Sequence, residues 1–375
     1  MKRILVSLVV SLLLCTGVLG AQALDFDSPR WQINGPKTGL TTHLGRRALH
    51  LGPGEAMLRD VSFQDGTIEV DVAVTGGRSF VGFVFHAGSD DGQETFYLRP
   101  HKSNLPDALQ YAPVFNKSSA WQLFSGPGFT AEVEIPRNEW IHVRIEVAGK
   151  QARIYLNRAA TPALEVKELK RGIERGAIGV YGAITGGYFS GFSVRHAERA
   201  IPNEAVTSPK LDPRILSRWA ISEAFDASEL GSETQARPEK WQPVTTEAPG
   251  MVMIDRYRGN PSAGPRTPVA GPVKGRKVVF ARAMIVSDRD QVKKMNFGYS
   301  DEVTVYLNGK KLFTGRSNFL LRDETFLGIM NVEGDALYLP LQKGRNELLL
   351  AVGEVFGGWG YICRLADLEG IDLSR

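Results

Sequence analysis

Apolar and polar residues alternate singly along much of the chain, which is the period of a β-strand with one buried face. In GTIEVDVAV, residues 66–74, Ile68, Val70, Val72 and Val74 fall on one side, and Glu69, Asp71 and Ala73 on the other. FVGFVFHAG follows, rich in aromatic and β-branched residues. WIHVRIEVAGKQARIYLN predicts a hairpin. Ile141, Val143, Ile145 and Val147 point one way, Ala148 to Lys150 turn the chain, and Ala152, Ile154 and Leu156 resume the inward set. GAIGVYGAITGGYFSGFSVR adds strands in which glycine permits bulges and close backbone approach.

HAERAIPNEAVTSPKLDP has no periodicity and reads as a linker. Beyond it VVFARAMIV, EVTVYLNGKKLFTG, ALYLPL and NELLLAVGEV again predict strands, with Asn308-Gly309 as a type I′ hairpin signal. RGNPSAGPRTPVAGPVKGRK is Pro- and Gly-rich and reads as a surface excursion. Long amphipathic helices are absent from the pattern. The fold expected is all-β: two antiparallel β-sandwich (jelly roll) domains in series after a signal peptide.

Length agrees, since 375 residues suit two cores rather than one. The start has the secretory layout: basic Lys2 and Arg3, an apolar run from Ile4 to Leu14, and Ala21-Gln22-Ala23 as a small-residue cleavage site. The boundaries expected are therefore a signal at 1–23, a first sandwich at 24–198, a linker at 199–213 and a second sandwich at 214–375. A lipid anchor at Cys15 is the other reading of the leader, although Leu14 stands where a lipobox takes a small residue. Cleavage would leave Cys363 as the one thiol, so no internal disulfide is expected and the cores must supply stability. The formal charge of +4 falls by two when Lys2 and Arg3 leave, too little to point to nucleic acid or an anionic membrane. No later apolar stretch is long enough for a membrane span. A periplasmic or secreted location is expected.

The first half, about residues 26–196, resembles the concanavalin A-like jelly roll group in its laminin-G-like and keto-glycoside-hydrolase-like branches. The likeness is carried by FQDGTIEVDVAV, GFVFHAG, FYLRPHKSNLPDALQYAPVFN with AWQLF, NEWIHVRIEVAGKQARIYLN and GAIGVYG with FSGFSV. The second half is similar to galactose-binding-like β-sandwiches, through DEVTVYLNGKKLFTG, LPLQKGRNELLLAV and GGWGYICRL. These resemblances imply carbohydrate-facing modules outside the cytoplasm and name no ligand, because one jelly roll serves lectins, adhesion modules and glycosidases alike.

A glycosidase needs two carboxylates about the scissile bond. Glu69 and Asp71, at i and i+2, share one sheet face and resemble the start of the glucanase acidic strand. Ala73 stands where that motif has its third carboxylate. The polar loop within YLRPHKSNLPDALQY is the binding candidate. Arg99 offers a donor fork and His101 can donate or accept near neutral pH. Asn104, Asp107 and Gln110 match vicinal hydroxyls, with Gln122 beyond them, while Tyr111 and Trp121 offer flat faces to a sugar ring. The same residues also read as structure: Asp107 capping a turn, Arg99 pairing with it, Trp121 in the core.

His43, His50, His86, His142 and His196 are scattered, so no transition-metal site is expected. His142 falls on the polar side of its strand and reads as surface. Asp90 and Asp91 with Gln93 and Glu94 offer oxygens for a structural calcium or form a solvated turn. Trp359 reads as a sugar platform, a domain contact or core, Cys363 as packing, and Asn116-Lys117-Ser118 as a surface sequon. The nucleophile elbow, the phosphate loop, H-E-x-x-H and C-x-x-C are all missing. The function expected is carbohydrate recognition, with carbohydrate or another extracellular polymer as partner and no cofactor. A keto-glycoside-type hydrolase using His101, Asp107 and Glu69 or Asp71 is the alternative, and an envelope adhesion or structural protein a third.

Overall fold

The computed structural model describes residues 22–197, 210–229, 238–259 and 276–374. Residues 1–21 of the expected signal, most of the linker and most of the Pro/Gly-rich excursion lie outside the described residues. The regular secondary structure among these residues is strand, apart from short 3-10 turns at Pro100–Lys102, Ala227–Glu229 and Ile254–Arg256. No helix among these residues is long and apolar enough to cross a membrane.

The chain is all-β, and every strand pairing is antiparallel. Residues 22–196 form two eight-stranded sheets. The front sheet runs, in spatial order, Leu164–Val166, Gln151–Leu156, Trp140–Ala148, Gly66–Ala73, Gly187–His196, Arg46–Leu51 and Thr38–His43, with Gln22–Ala23 beside Gly187–His196. The back sheet runs Ser118–Ser119, Leu109–Phe115, Gln93–Leu98, Ser79–Ala87, Gly176–Ile184, Gly54–Phe63 and Gln32–Asn34, with Thr130–Ala131 beside Leu109–Phe115. Residues 218–372 form two further sheets.

Single-residue alternation sets the register. Along Trp140–Ala148 burial switches at every residue, and Ile141, Val143 and Ile145 stand opposite Val72, Val70 and Ile68 on the neighbouring strand. A one-residue slip would turn this apolar set to water. The inner faces meet in a core that includes Phe63, Phe85, Phe96, Ile145 and Phe189. The second sandwich closes on Trp219, Phe297, Val305, Leu350, Trp359 and Tyr361. Its hairpin between Glu302–Leu307 and Lys310–Arg316 turns at Asn308 (φ 50°) and Gly309 (φ 80°), the positive-φ pair a two-residue turn needs.

The outer surface of the back sheet is covered by the second sandwich. Tyr97, Ala112 and Trp121 pack with Phe319, Leu327, Ile329 and Phe356. Beside them Phe115, Ala120, Leu123 and Phe124 pack with Ile215, Met251, Met253 and Ile362. The front sheet's outer surface has no such cover among the described residues. That asymmetry decides where a ligand can reach.

Candidate functional site

The structure buries the two ends of the polar stretch and leaves its middle, residues 104–106, exposed. Arg99 is 4% exposed. It donates from Nη1 to Asp107 Oδ2 (3.0 Å) and from Nη2 to Tyr97 Oη (3.1 Å), and lies over the rings of Tyr97 and Trp121. Lys102 Nζ also donates to Asp107, at 2.5 Å. His101 Nδ1 sits 3.1 Å from Ser79 O, and burial holds this imidazole below its ordinary pKa. Asn104 is exposed, in left-handed backbone (φ 62°), and its N–H donates to Val133 O.

Gln110 and Tyr111 follow each other on one strand and so point to opposite faces. Gln110 turns outward under the second sandwich and donates to Trp121 O and Phe124 O, both at about 3 Å. Tyr111 turns into the core, fully buried, and donates to Glu94 Oε2 (2.7 Å) while accepting from Lys170 N–H. Trp121, 7% exposed, is packed by Phe319 and Phe356. Gln122 is fully buried and spans the seam between the sandwiches. Its N–H donates to Gly357 O, its O accepts from Met330 N–H, and Nε2 donates to Leu327 O (2.7 Å). Arg99, Asp107, Gln110, Tyr111 and Gln122 thus bond to partners within the protein. Replacing Asp107 with asparagine is expected to cost about 2 kcal/mol, because a near-buried guanidinium loses its charged acceptor; urea unfolding of the variant measures it.

The other singled-out residues are accounted for similarly. Asp90 pairs with Arg171 (3.0 Å) and Asp91 with Lys117 (3.2 Å). Glu94 is buried against Tyr111, and desolvation pushes its carboxyl up to about 7. The three carboxylates considered for calcium thus have separate partners, and among the described residues no group of three His, Cys, Asp or Glu is placed to hold a metal. Trp359 is core, donating from Nε1 to Val352 O. Asn116 donates from Nδ2 to Asp255 O across the seam. Cys363 is buried, and desolvation raises its thiol pKa.

The outward-facing positions of the front sheet fall in rows set by strand register. Trp140, Ala73, Tyr188 and His50 make the first row, and His142, Asp71 and Ser190 the second. Tyr155, Arg144, Glu69 and Ser193 make the third, and Arg153, Glu146, Thr67 and Arg195 the fourth. Rows two residues apart are ~6.6 Å apart, so the strip is ~20 Å long. At its far end a hollow of 320 Å³ is bounded by Thr67, Glu146, Gln151, Arg153, Arg195 and His196.

At the first row the tip of the hairpin formed by Thr38–His43 and Arg46–Leu51 bends over the sheet. His43 stacks on Tyr188 at 3.6 Å, Leu44 O accepts from Trp140 Nε1, and Arg46 lies 5.2 Å from the Trp140 ring centre. The tip is anchored by Arg46 on Asp71 Oδ2 (2.5 Å). His43 Nε2 is buried there without a partner, and desolvation, with help from His50, lowers that ring's pKa. Asp71 Oδ1 lies 2.8 Å from His142 Nδ1, and His142 Nε2 lies 3.8 Å from Glu69 Oε2. Trp140, Tyr188, His142 and Glu69 are all half-buried, and one face of the Tyr188 ring is covered by His43. The sequence did carry a signal for them. Trp140, His142 and Arg144 fall on the polar side of a strand of perfect alternation, which places an indole and an imidazole together on its outward face.

A second hollow, of 340 Å³, lies between the sandwiches. Lys170 there pairs with Glu168, and Arg256 with Glu247, so its charges are mutually satisfied.

No family model matches the sequence, and no curated protein matches it. Among solved structures, the carbohydrate binding module CBM66 from Bacillus subtilis is similar at 15% identity and a TM-score of 0.34, over 44% of this chain and 93% of that one. A galectin-like-fold protein of unknown function, also from Bacillus subtilis, gives 12% identity and 0.34 over 45% and 90%. Domain 4 of AbnA, an extracellular arabinanase from Geobacillus stearothermophilus solved with arabinotriose, gives 10% and 0.30 over 44% and 82%. Likenesses at this level carry no residue roles to this chain.

Proposed function

We propose that the chain is an exported carbohydrate-recognition protein that lays an extended glycan along the outer face of the first sandwich's front sheet. Its two halves are, on this reading, a concanavalin A-like module and a galactose-binding-like module. The observation that carries the proposal is the strip of half-exposed rings and hydrogen-bonding side chains from Trp140 and Tyr188 to the hollow at Arg195. Sugar rings stack their C–H faces on aromatic surface and offer hydroxyls to charged and amide groups. A strip of ~20 Å on a rigid sheet meets several linked rings at once, with little ordering cost on the protein side. Export rests on the layout of residues 1–23.

The reading is recognition rather than hydrolysis. Both oxygens of Asp71 are engaged, by Arg46 and by His142. Ala73, fully buried between Trp140 and Tyr188, occupies the row where a third carboxylate would stand. A glycan array with the full-length chain, followed by calorimetry on its hits, tests the proposal. Trp140→Ala and Tyr188→Ala are each expected to weaken binding about tenfold or more, as loss of a stacking ring does, and Asn104→Ala to leave it unchanged. An array without a hit, or ring variants that bind as the parent does, would overturn it.

A further inference from the structure

The middle of the strip specifies more than a generic sugar. Asp71 is held between Arg46 and His142, so it orients the imidazole. In the neutral ring, Nδ1–H donates to Asp71, and Nε2 is left as an acceptor facing Glu69 Oε2 at 3.8 Å. Two acceptors therefore face each other across a gap too long for a bond between them and well sized for one donor group bound to both. Glu69 is 36% exposed, and among the described residues no lysine or arginine lies within ion-pair distance of it. Arg144, its cross-strand neighbour, stacks over Tyr155 at 4.0 Å and leans on Glu146 at 3.5 Å. In the row beyond His142, Trp140 and Tyr188 are half-buried, Tyr188 with one face under the His43 ring.

A carboxylate, an acceptor nitrogen and nearby aromatic rings are together complementary to a protonated amine carried on an apolar ring face. A hydroxyl could donate to either acceptor. An ammonium donates to both and adds a charge-assisted bond, which is about twice as strong as a neutral one. We propose that the gap between Glu69 and His142 takes the free amino group of a hexosamine, so that the strip selects glucosamine-type polymers over neutral ones of the same linkage. This rests on the strip being the glycan surface and names the sugar class it takes there.

The experiment compares three β-1,4-linked pentamers that differ only at C2: cellopentaose (hydroxyl), the glucosamine pentamer (amine) and the N-acetylglucosamine pentamer (amide). Each is titrated calorimetrically into the full chain at low salt and neutral pH. The amine pentamer is expected to bind about tenfold tighter than the hydroxyl one, the advantage of one charge-assisted contact. Glu69→Gln is expected to bring the two to parity by removing the amine pentamer's charge-assisted advantage. Glu369→Gln, an exposed acid of the second sandwich, controls for attraction to negative charge in general and is expected to keep the preference. Equal binding of all three pentamers, or a preference that survives Glu69→Gln, overturns the amine assignment and leaves the glycan surface standing. If none of the pentamers binds while the array shows other glycans, the amine assignment falls. A silent array removes the glycan reading with it.

Discussion

Replacing Gln122 with alanine is expected to destabilise the protein by about 3 kcal/mol and to let the two sandwiches unfold separately. The side chain is fully buried in the seam, with Nε2 donating to Leu327 O and Oε1 accepting from Ser300 Oγ at 3.4 Å. Alanine keeps the backbone bonds to Gly357 and Met330 but strands the Leu327 carbonyl in a dry cavity. Gly357, at φ 106°, comes so close that a Cβ there would lie 2.0 Å from Gln122 Oε1, so the gap cannot be closed by a small shift. Scanning calorimetry is the measurement. A midpoint lower by about 6–12 °C, with a split or broadened transition, is expected. A midpoint within a degree of the parent's would show that the seam does not couple the sandwiches.

The second large effect is a loss of stability as pH rises from about 4 to 8. Asp255, Asp301 and Glu354 lie buried together where the second sandwich meets the first. Asp301 accepts from Val355 N–H and Phe356 N–H, Asp255 from Trp359 N–H, and Glu354 from Gly358 N–H. These carboxyls thus shape the 354–359 loop, whose Gly357 carbonyl grips Gln122. Desolvation pushes Asp255 and Asp301 each up to about 7, and desolvation with the other two acids pushes Glu354 well up. The groups facing them across the seam, Ser118 and Gln122, are neutral. Glu302, which also raises Asp301, pairs with Arg276 and Arg316, and Arg256 pairs with Glu247.

The sign follows from proton counting. Between the unfolded carboxyl range near 4 and the folded value near 7, the native state holds more protons than the unfolded one, so stability falls as pH rises. Glu94, also raised to about 7, acts in the same direction. His86 and His101, lowered by burial, act oppositely below about pH 6.5 and soften the slope there. A melting point lower by on the order of 10 °C at pH 8 than at pH 5 is expected. Asp301→Asn should reduce that difference clearly, since the amide keeps the shape and cannot ionise. A pH-independent melting point would contradict the assignment.

The strand pattern was legible because one-sided burial writes a period of two, and Trp140–Ala148 obeys it without exception. The Asn308-Gly309 turn was legible because few residue pairs accept two positive φ values. The candidate site was much less so. Arg99, Asp107, Gln110 and Gln122 look like ligand contacts in sequence, where polar groups satisfying one another cannot be told from polar groups awaiting a partner. The deciding fact, that a second sandwich lies on the back sheet, concerns residues some two hundred positions downstream such as Leu327 and Phe356. Glu69 and Asp71 were recognised as sharing a sheet face. Their neighbours His142, Tyr188 and Arg46 come from strands whose pairing no local pattern specifies.

Hydrogen exchange on the full-length chain, with and without the tightest-binding oligosaccharide from the array, tests the placement of the ligand most directly. Slowed exchange is expected in 66–73, 140–146 and 187–193, the strands that carry Glu69, His142 and Tyr188, with 99–111 unchanged. Slowed exchange confined to 99–111, with the front sheet unchanged, would contradict the account.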